Sequence, residues 1–315
     1  MNIIRYRYLF LGFSGILVLA SIAALAVWGL PLGLDFTGGT AMEVEFLTPI
    51  GRDARPPIDA IHTALDPLRL GDISVQPSGS AGVVLRLRYV DEPTYRNILT
   101  ALRGAAGKYG MTVAPEKPPD ATSPVIGADL YRRSLIALSL AIAVIVLYIA
   151  WAFRRISKPI ASWKYGVVAV VALAHDLAIP AGIFAALGYF KGVEIDILFI
   201  TALLTILGFS VHDTIVVFDR IRENLRTPHE SEPYAATVNR SIRETFVRSV
   251  LTSLTVLLVL TIVFFLGGAS TQYFALALII GITAGTYSSL FVASPLLVLW
   301  NNLSDRNSSS LTKQK

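Results

Sequence analysis

Residues 208–224 have the sequence GFSVHDTIVVFDRIREN and complete an apolar run that begins near Ile195. The run is expected to place His212 and Asp213 inside the lipid bilayer. The charged residues from Asp219 onward are typical of a helix end that lies in water. A charged side chain in hydrocarbon costs roughly 3 to more than 10 kcal/mol, so such a residue faces protein or water and indicates a functional site. The surroundings of Asp213 are therefore expected to decide what the chain does.

The composition predicts a polytopic α-helical membrane protein. Of 315 residues, 54% are hydrophobic and 16% are charged, and the mean hydropathy is +0.61. Soluble domains are less apolar and carry more charge. Six apolar runs are long enough to cross a bilayer core of about 30 Å. They lie near residues 9–30, 131–153, 165–189, 195–218, 246–267 and 272–300.

Basic residues are distributed unevenly between the short polar stretches. If six helices alternate in direction, the basic residues of the short polar stretches fall on the side of the two termini, and the opposite short loops offer only Lys191. The positive-inside rule then predicts that both termini are cytoplasmic, and it accounts for the net charge of +5 without a nucleic-acid partner. The basic positions are Arg5, Arg7, Arg154, Arg155, Lys158, Lys164, Arg220, Arg222, Arg226, Arg240, Arg243, Arg306, Lys313 and Lys315.

The first apolar run has two interpretations. Arg5 and Arg7 precede it, and Ala24-Leu25-Ala26 near its end is similar to a signal-peptide cleavage site. The apolar core of a signal peptide usually spans roughly 7 to 15 residues, however, and this run is longer. We expect an uncleaved anchor.

The segment between the first two apolar runs predicts one small extracytoplasmic α+β domain, residues 34–129. Alternating apolar positions predict strands at 41–47, 73–76, 83–90 and 111–114, and amphipathic spacing predicts helices at 58–70 and 94–109. The order βαββαβ is that of a ferredoxin-like domain. The sequence lacks Cys, and the domain has no metal-ligand cluster or catalytic triad, which favours a binding role. The remaining predicted boundaries are 1–33 for the cytoplasmic N-terminus and first helix, 130–303 for the other five helices, and 304–315 for a cytoplasmic tail.

Few ionisable residues lie inside the apolar runs. The third run contains His175 and Asp176, the fourth contains His212 and Asp213, and the fifth begins with Arg248. Because the fourth and fifth helices run antiparallel, we expect Asp213 and Arg248 at a similar depth.

Two interpretations of the Asp213 and Arg248 pair stay open. If the pair forms and separates, the carboxylate can take up and release a proton, which makes a proton-sensitive switch. If the pair is static, it holds two helices together with the hydroxyl groups of Thr252, Ser253 and Thr255 as partners.

Three flanking features are interpreted as structural. Asn224 is expected to help cap the fourth apolar helix, and residues 226–243 are expected to form a separate amphipathic helix along the cytoplasmic face. The small residues of the last run predict close helix packing, with a partner protein as a neighbour. These residues are Gly281, Ala284, Gly285, Ser288 and Ser289.

Four stretches together resemble the SecF family of bacterial protein-export membrane subunits, and their order and six-helix frame match as well. The likeness spans nearly the whole chain. The stretches are LDFTGGT (34–40), GFSVHDTIVVFDRIREN (208–224), RSVLTSLT (248–255) and GTYSSLFVASPLLV (285–298).

The resemblance implies a fold of the resistance-nodulation-division type and pairing with SecD in a twelve-helix, pseudo-symmetric unit. It implies an accessory role in which the proton motive force promotes translocation of unfolded preproteins by the SecYEG channel and the SecA motor. YajC is a further candidate partner, and membrane lipid surrounds the helices. The resemblance implies no cofactor, no metal and no enzymatic turnover.

The resemblance also implies residue roles. Asp213 would carry the proton and Arg248 would be its charge partner, while Gly38 and Gly39 would form a hinge. The secondary relay or polar network would comprise His212, Asp176, Thr252 and Thr255. Two positions depart from the family pattern: His212 stands where Asn is usual, and Val256 stands where a second Thr is common. Because a neutral imidazole titrates near pH 6.5, participation of His212 in a relay stays open.

Two other classes of function are less favoured by the sequence. A small-molecule efflux or transporter subunit of the same superfamily would need a larger extracytoplasmic domain. An intramembrane aspartyl protease would need Asp176 and Asp213 to share a proton, and Arg248 would prevent that. The two His-Asp pairs are similar to those of metal-dependent phosphohydrolases, but the further ligands that such enzymes need are missing.

Overall fold

The computed structural model describes residues 3–48, 54–71, 73–114, 119–153, 161–226 and 232–312; the side chains of 162, 269, 270 and 304–312 are not described. The basic residues Arg154, Arg155, Lys158, Lys313 and Lys315 therefore lie outside the described residues, and so does the side chain of Arg306. The chain forms two compact units, a membrane unit (Met1–Pro31 and Leu135–Lys315) and a sheet unit (Leu32–Ser134).

The described residues contain ten α-helices, five strands and one π-helical segment. The helices are α1 (Arg7–Trp28), α2 (Leu34–Thr37), α3 (Ile58–Leu65), α4 (Glu92–Lys108), α5 (Pro124–Ala152), α6 (Ser162–Lys191), α7 (Ile197–Arg226), α8 (Tyr234–Leu266), α9 (Ala269–Ser288) and α10 (Ser294–Thr312). The strands are β1 (Gly39–Leu47), β2 (Ser74–Ser78), β3 (Gly82–Leu87), β4 (Thr112–Val113) and β5 (Asp120–Thr122). The π-helical segment, Ser289–Ala293, joins α9 to α10.

Six helical spans in the described part of the chain are long and apolar enough to cross a membrane, as the composition predicts. The α6, α7 and α9–α10 spans are the most buried, whereas α1, α5 and α8 expose most of their apolar side chains. Aromatic rings fill part of the interior: Tyr165 and Phe218 are fully buried and cross at 84°, with ring centroids 5.4 Å apart. Exposed apolar helix surface in such a protein contacts lipid or another chain.

The sheet unit is built on β1. This strand pairs antiparallel with β3 along one edge and with β4 and β5 along the other, and β2 extends the sheet beyond β3. Every second residue of β1 points inward, which is the period-two pattern expected of a half-buried strand. The inward side chains of β1 and β3 pack against apolar residues of α3 and α4. The core includes Met42, Val44, Phe46, Ile61, Leu65, Val83, Leu85, Ile98 and Leu102.

Two of the expected local features are wrong. The structure contains no separate surface helix in the described part of 226–243, because α8 begins at Tyr234 and continues unbroken to Leu266. Likewise, α7 extends to Arg226, so Asn224 is not a cap. Its side chain donates to the Ser241 hydroxyl at 2.9 Å and to the Glu244 carboxylate at 2.8 Å. The polar residues in this region therefore join α7 to α8 instead of ending a helix.

Candidate functional site

Asp213 lies on the buried face of α7 and is held by hydroxyl groups from two other elements. Its side chain is 8% exposed. Ser249 of α8 donates to Oδ1 at 2.6 Å, and Ser289, at the start of the π-helical segment, donates to Oδ2. Each carboxylate oxygen thus has a neutral hydrogen-bond donor.

A second buried carboxylate, Asp176, lies on α6. It is fully buried and has three hydrogen-bond partners. Nδ1 of His175 lies 2.7 Å from Oδ1, and the hydroxyls of Ser210 on α7 and Ser288 on α9 both donate to Oδ2, the latter at 2.7 Å. Asp176 therefore ties α6 to α7 and to α9 through polar contacts.

The junction of α9 and the π-helical segment connects these two carboxylates. Ser288 and Ser289 are consecutive residues, and each donates to a different Asp. The residues before them contact two further helices: Tyr287 donates to the Phe10 carbonyl of α1 at 3.1 Å, and Thr286 hydrogen-bonds to Ser253 of α8. Since consecutive side chains on a helix point about 100° apart, one turn can reach four neighbours. A π-helical turn at such a place is often associated with a functional site.

Close packing of α9 is confirmed at its glycines. A Cβ at Gly285 would lie 3.2 Å from Cβ of Ser210 and 3.5 Å from Oδ2 of Asp176, and Gly281 leaves no room for a Cβ beside Ile206. Ser288 and Ser289 do more than allow close packing, because their hydroxyl groups donate hydrogen bonds to the two carboxylates.

The structure does not bring Arg248 to Asp213. Arg248 is exposed on α8, and no ion pair between the two is found among the described residues. Thr252 and Thr255 are also exposed and donate to carbonyl groups of their own helix at 2.9 and 2.8 Å. His212 is exposed, whereas its neighbour Asp213 is buried.

Gly38 and Gly39 belong to the sheet unit, where both have positive φ angles, +71° and +139°. A Cβ at Gly38 would lie 2.6 Å from Cα of Pro124, and a Cβ at Gly39 would lie 2.9 Å from the Leu87 carbonyl oxygen. The two positions need glycine both for their backbone angles and for the close approach of neighbouring main chain.

The serines that hold the two carboxylates were missed as hydrogen-bond donors. Ser210 and Asp213 are three residues apart on α7, and Ser249 follows Arg248 directly, so their spacing offered a signal. Ser288 and Ser289 resembled ordinary small packing residues. Their side-chain orientations depend on the π-helical turn, which the sequence did not indicate.

Comparison with known proteins identifies relatives along nearly the whole chain. The family model described as "Protein export membrane protein SecD/SecF, C-terminal" matches residues 111–303, and the "SecD/SecF GG Motif" model matches residues 23–49. The protein translocase subunit SecF of Thermobaculum terrenum is 41% identical, over 96% of this chain and 94% of its own. SecF of Vibrio alginolyticus is 40% identical over 90% of this chain and 84% of its own.

A solved structure has the same fold. The crystal structure of SecDF from Thermus thermophilus superposes with a TM-score of 0.75 at 31% identity, covering 96% of this chain and 39% of the SecDF chain. This chain thus spans about two fifths of the SecDF molecule that it matches.

Proposed function

The chain belongs to the SecD/SecF family of protein-export membrane proteins and is an accessory subunit of the Sec protein translocase, and we propose that it uses the proton motive force to promote preprotein translocation. The observation that carries the proposal is Asp213. It is a carboxylate at membrane depth that two hydroxyl groups hold and, among the described residues, no cation neutralises.

Such an environment suits a group that alternates between a charged and a neutral form. An ionised carboxylate accepts hydrogen bonds from Ser249 and Ser289, whereas a protonated carboxyl donates one and the same hydroxyl groups can accept it. The site can therefore bind either form without losing its hydrogen bonds. A charged form that lacks a cation partner is costly in an apolar interior, which favours proton uptake from whichever side the site is open to.

Arg248 is the proposed charge partner in a second arrangement of the helices. It directly precedes Ser249, so a rotation of α8 by about 100° would exchange the serine hydroxyl for the guanidinium at Asp213. Loss of the proton from Asp213 would favour the arrangement with Arg248, and its return would favour the one with Ser249. The proton state would in this way change how α8 packs.

SecD is the proposed membrane partner. The SecDF relatives combine both parts in one name, and this chain matches about two fifths of such a molecule. The exposed apolar surface of α8 supplies a suitable face, and Arg248, Thr252 and Thr255 lie on it. His212, Asp176, Thr252 and Thr255 are proposed as the secondary polar network.

The sheet unit is proposed to be a ferredoxin-like, extracytoplasmic domain that engages emerging preprotein, with both chain termini in the cytoplasm. Its strand order, β2-β3-β1-β4, supports the ferredoxin-like assignment. Gly38 and Gly39 are the proposed hinge in the segment that follows α1. SecYEG, SecA and YajC are the proposed partners in the wider translocase.

The proposal is tested by preprotein translocation into inverted membrane vesicles that contain SecD and this chain, with and without a proton gradient. Asp213→Asn should remove only the stimulation by the gradient, because an amide cannot exchange a proton. Ser253→Ala is the matched control, since Ser253 is buried one turn from Ser249 and contacts no carboxylate. Equal stimulation in the native and Asp213→Asn complexes would refute proton coupling at this site.

A further inference from the structure

His175 is a buried titratable group that the proposed mechanism leaves unused. It is 5% exposed, and its Nδ1 atom lies 2.7 Å from Oδ1 of Asp176, within hydrogen-bond distance. Its other ring nitrogen, Nε2, is buried without a hydrogen-bond partner among the described residues. A buried polar atom without a partner is costly, so its position beside a buried carboxylate calls for a functional explanation.

A second buried polar side chain lies at the same level on α1. Ser21 packs against Gly182, and Trp28 stacks on Tyr189, so α1 and α6 run parallel in a fixed register. Ser14 and His175 each lie two helical turns before the Ser21 and Gly182 contact and therefore face the same layer. The hydroxyl of Ser14 is buried and lies beside the hydroxyl of Tyr287, which donates to the Phe10 carbonyl. This layer of the α1 and α6 interface therefore contains two buried polar side chains, Ser14 and His175.

The groups that face the dyad of His175 and Asp176 are few. Ser210 of α7 and Ser288 of α9 donate to Asp176, and the Tyr287 ring of α9 has its centroid 6.4 Å from that of His175. Asp213 lies three residues after Ser210, about one turn further along α7. Helix α1 contributes Ser14. Among the described residues, His175 is the one basic group within ion-pair distance of either carboxylate.

Charge balance then limits the states of the site. With His175 neutral and both carboxylates ionised, the interior would hold two negative charges without a cation, which is strongly unfavourable. A proton on Nε2 of His175 forms an imidazolium next to the Asp176 carboxylate and makes the dyad neutral. No other bond forms or breaks, and the proton is released from the same nitrogen.

We propose that the His175–Asp176 dyad is a second proton-binding site, and that the adjacent Ser288 and Ser289 link its occupancy to that of Asp213. The inference rests on the proposed function, because a second site matters only if Asp213 exchanges protons. Ser288 and Ser289 are the positioning residues: a shift in one hydroxyl moves the backbone that carries the other.

The test is a ¹⁵N NMR titration of the histidine-labelled chain, in complex with SecD in lipid nanodiscs. The chain has 4 His residues, and the resonances that His175→Asn removes belong to His175. Asparagine keeps an N–H near the position of Nδ1 and lacks Nε2. We expect His175 to pass from the neutral to the imidazolium pattern within the pH range over which proton flux changes. Asp213→Asn should shift its midpoint by about one pH unit toward acid, because a nearby negative charge is lost.

Ser288→Ala should also shift the His175 midpoint. Thr245→Val should not, because Thr245 is buried on α8 and donates only to carbonyl groups of its own helix. A His175 resonance that stays neutral across the whole pH range of proton flux would overturn the proposal, and so would an unchanged midpoint in both Asp213→Asn and Ser288→Ala. If flux itself survives Asp213→Asn, the proposed function fails, while the His175 titration still decides whether the dyad binds a proton.

Discussion

The hydroxyl of Ser249 donates a hydrogen bond to Oδ1 of Asp213 at 2.6 Å, while the neighbouring Arg248 is exposed on the same helix. The membrane-depth carboxylate is therefore held by neutral donors on α8 and at the start of the π-helical segment. Two side chains that are adjacent in the sequence thus occupy different environments, one buried and one exposed, and the proposed rotation of α8 by about 100° would exchange them.

The Ser249 hydroxyl should set the pH range of proton coupling. Ser249→Ala removes a hydrogen bond from the arrangement that protonated Asp213 is proposed to favour, so the profile of proton flux against pH should move toward acidic values. Flux in reconstituted proteoliposomes over a series of pH values measures this shift. Ser253→Ala, one turn further on, should leave the profile in place, and equal profiles for all three proteins would contradict the assigned role.

Arg248 should matter for coupling more than for the stability of this chain. Because the side chain is exposed, Arg248→Gln should change the free energy of unfolding of the isolated chain by no more than about 0.5 kcal/mol. Gradient-driven translocation by the complex with SecD should fall strongly. Arg243→Gln, another exposed arginine on α8, serves as the control. A large loss of stability in Arg248→Gln would instead assign the residue a structural role within the chain.

Gly39 should tolerate no side chain. Its φ angle of +139° is unfavourable for alanine, and a Cβ would lie 2.9 Å from the Leu87 carbonyl oxygen, so Gly39→Ala should destabilise the sheet unit by about 1 to 3 kcal/mol. Gly104→Ala, in the exposed middle of α4 with open space around it, should be neutral or stabilising. Hydrogen exchange of peptides from β1 and β3 distinguishes the two variants. Equal protection in both would show that the glycine is not required.

The first turn of α4 should lose protection in acid. The side-chain and backbone hydrogen bonds from Thr94 hold the pKa of Asp91 below its ordinary value of 3.8. Because the folded pKa is the lower one, this stabilisation is complete above the unfolded pKa and is lost as pH falls through the folded pKa. Hydrogen exchange across residues 91–95 should therefore accelerate below about pH 4 relative to the rest of α4. The Asp91→Asn variant should lack this pH dependence, and an identical acid response in both would contradict the capping role.

The membrane spans and the site carboxylates could be predicted from the sequence because bilayer thickness fixes helix length and hydrocarbon makes charges rare. Four of the five strands of the sheet unit were predicted, whereas β5 was not, because Asp120–Thr122 shows no alternation of apolar residues. The extension of α8 back to Tyr234 could not be predicted, because Thr237 and Ser241 look polar although they pack inward against α7. The orientations of Ser288 and Ser289 could not be predicted either, because a π-helical turn changes the face of the helix on which each following residue lies.

The most direct test of the central claim is proton flux through proteoliposomes that contain this chain and SecD, measured with an internal pH-sensitive dye during preprotein translocation. The native complex and the Ser253→Ala control should carry protons inward down the gradient, and Asp213→Asn should reduce the flux to the level of empty liposomes. Undiminished flux through an Asp213→Asn complex that is folded and present in equal amount would contradict the account and leave Asp213 as a packing residue.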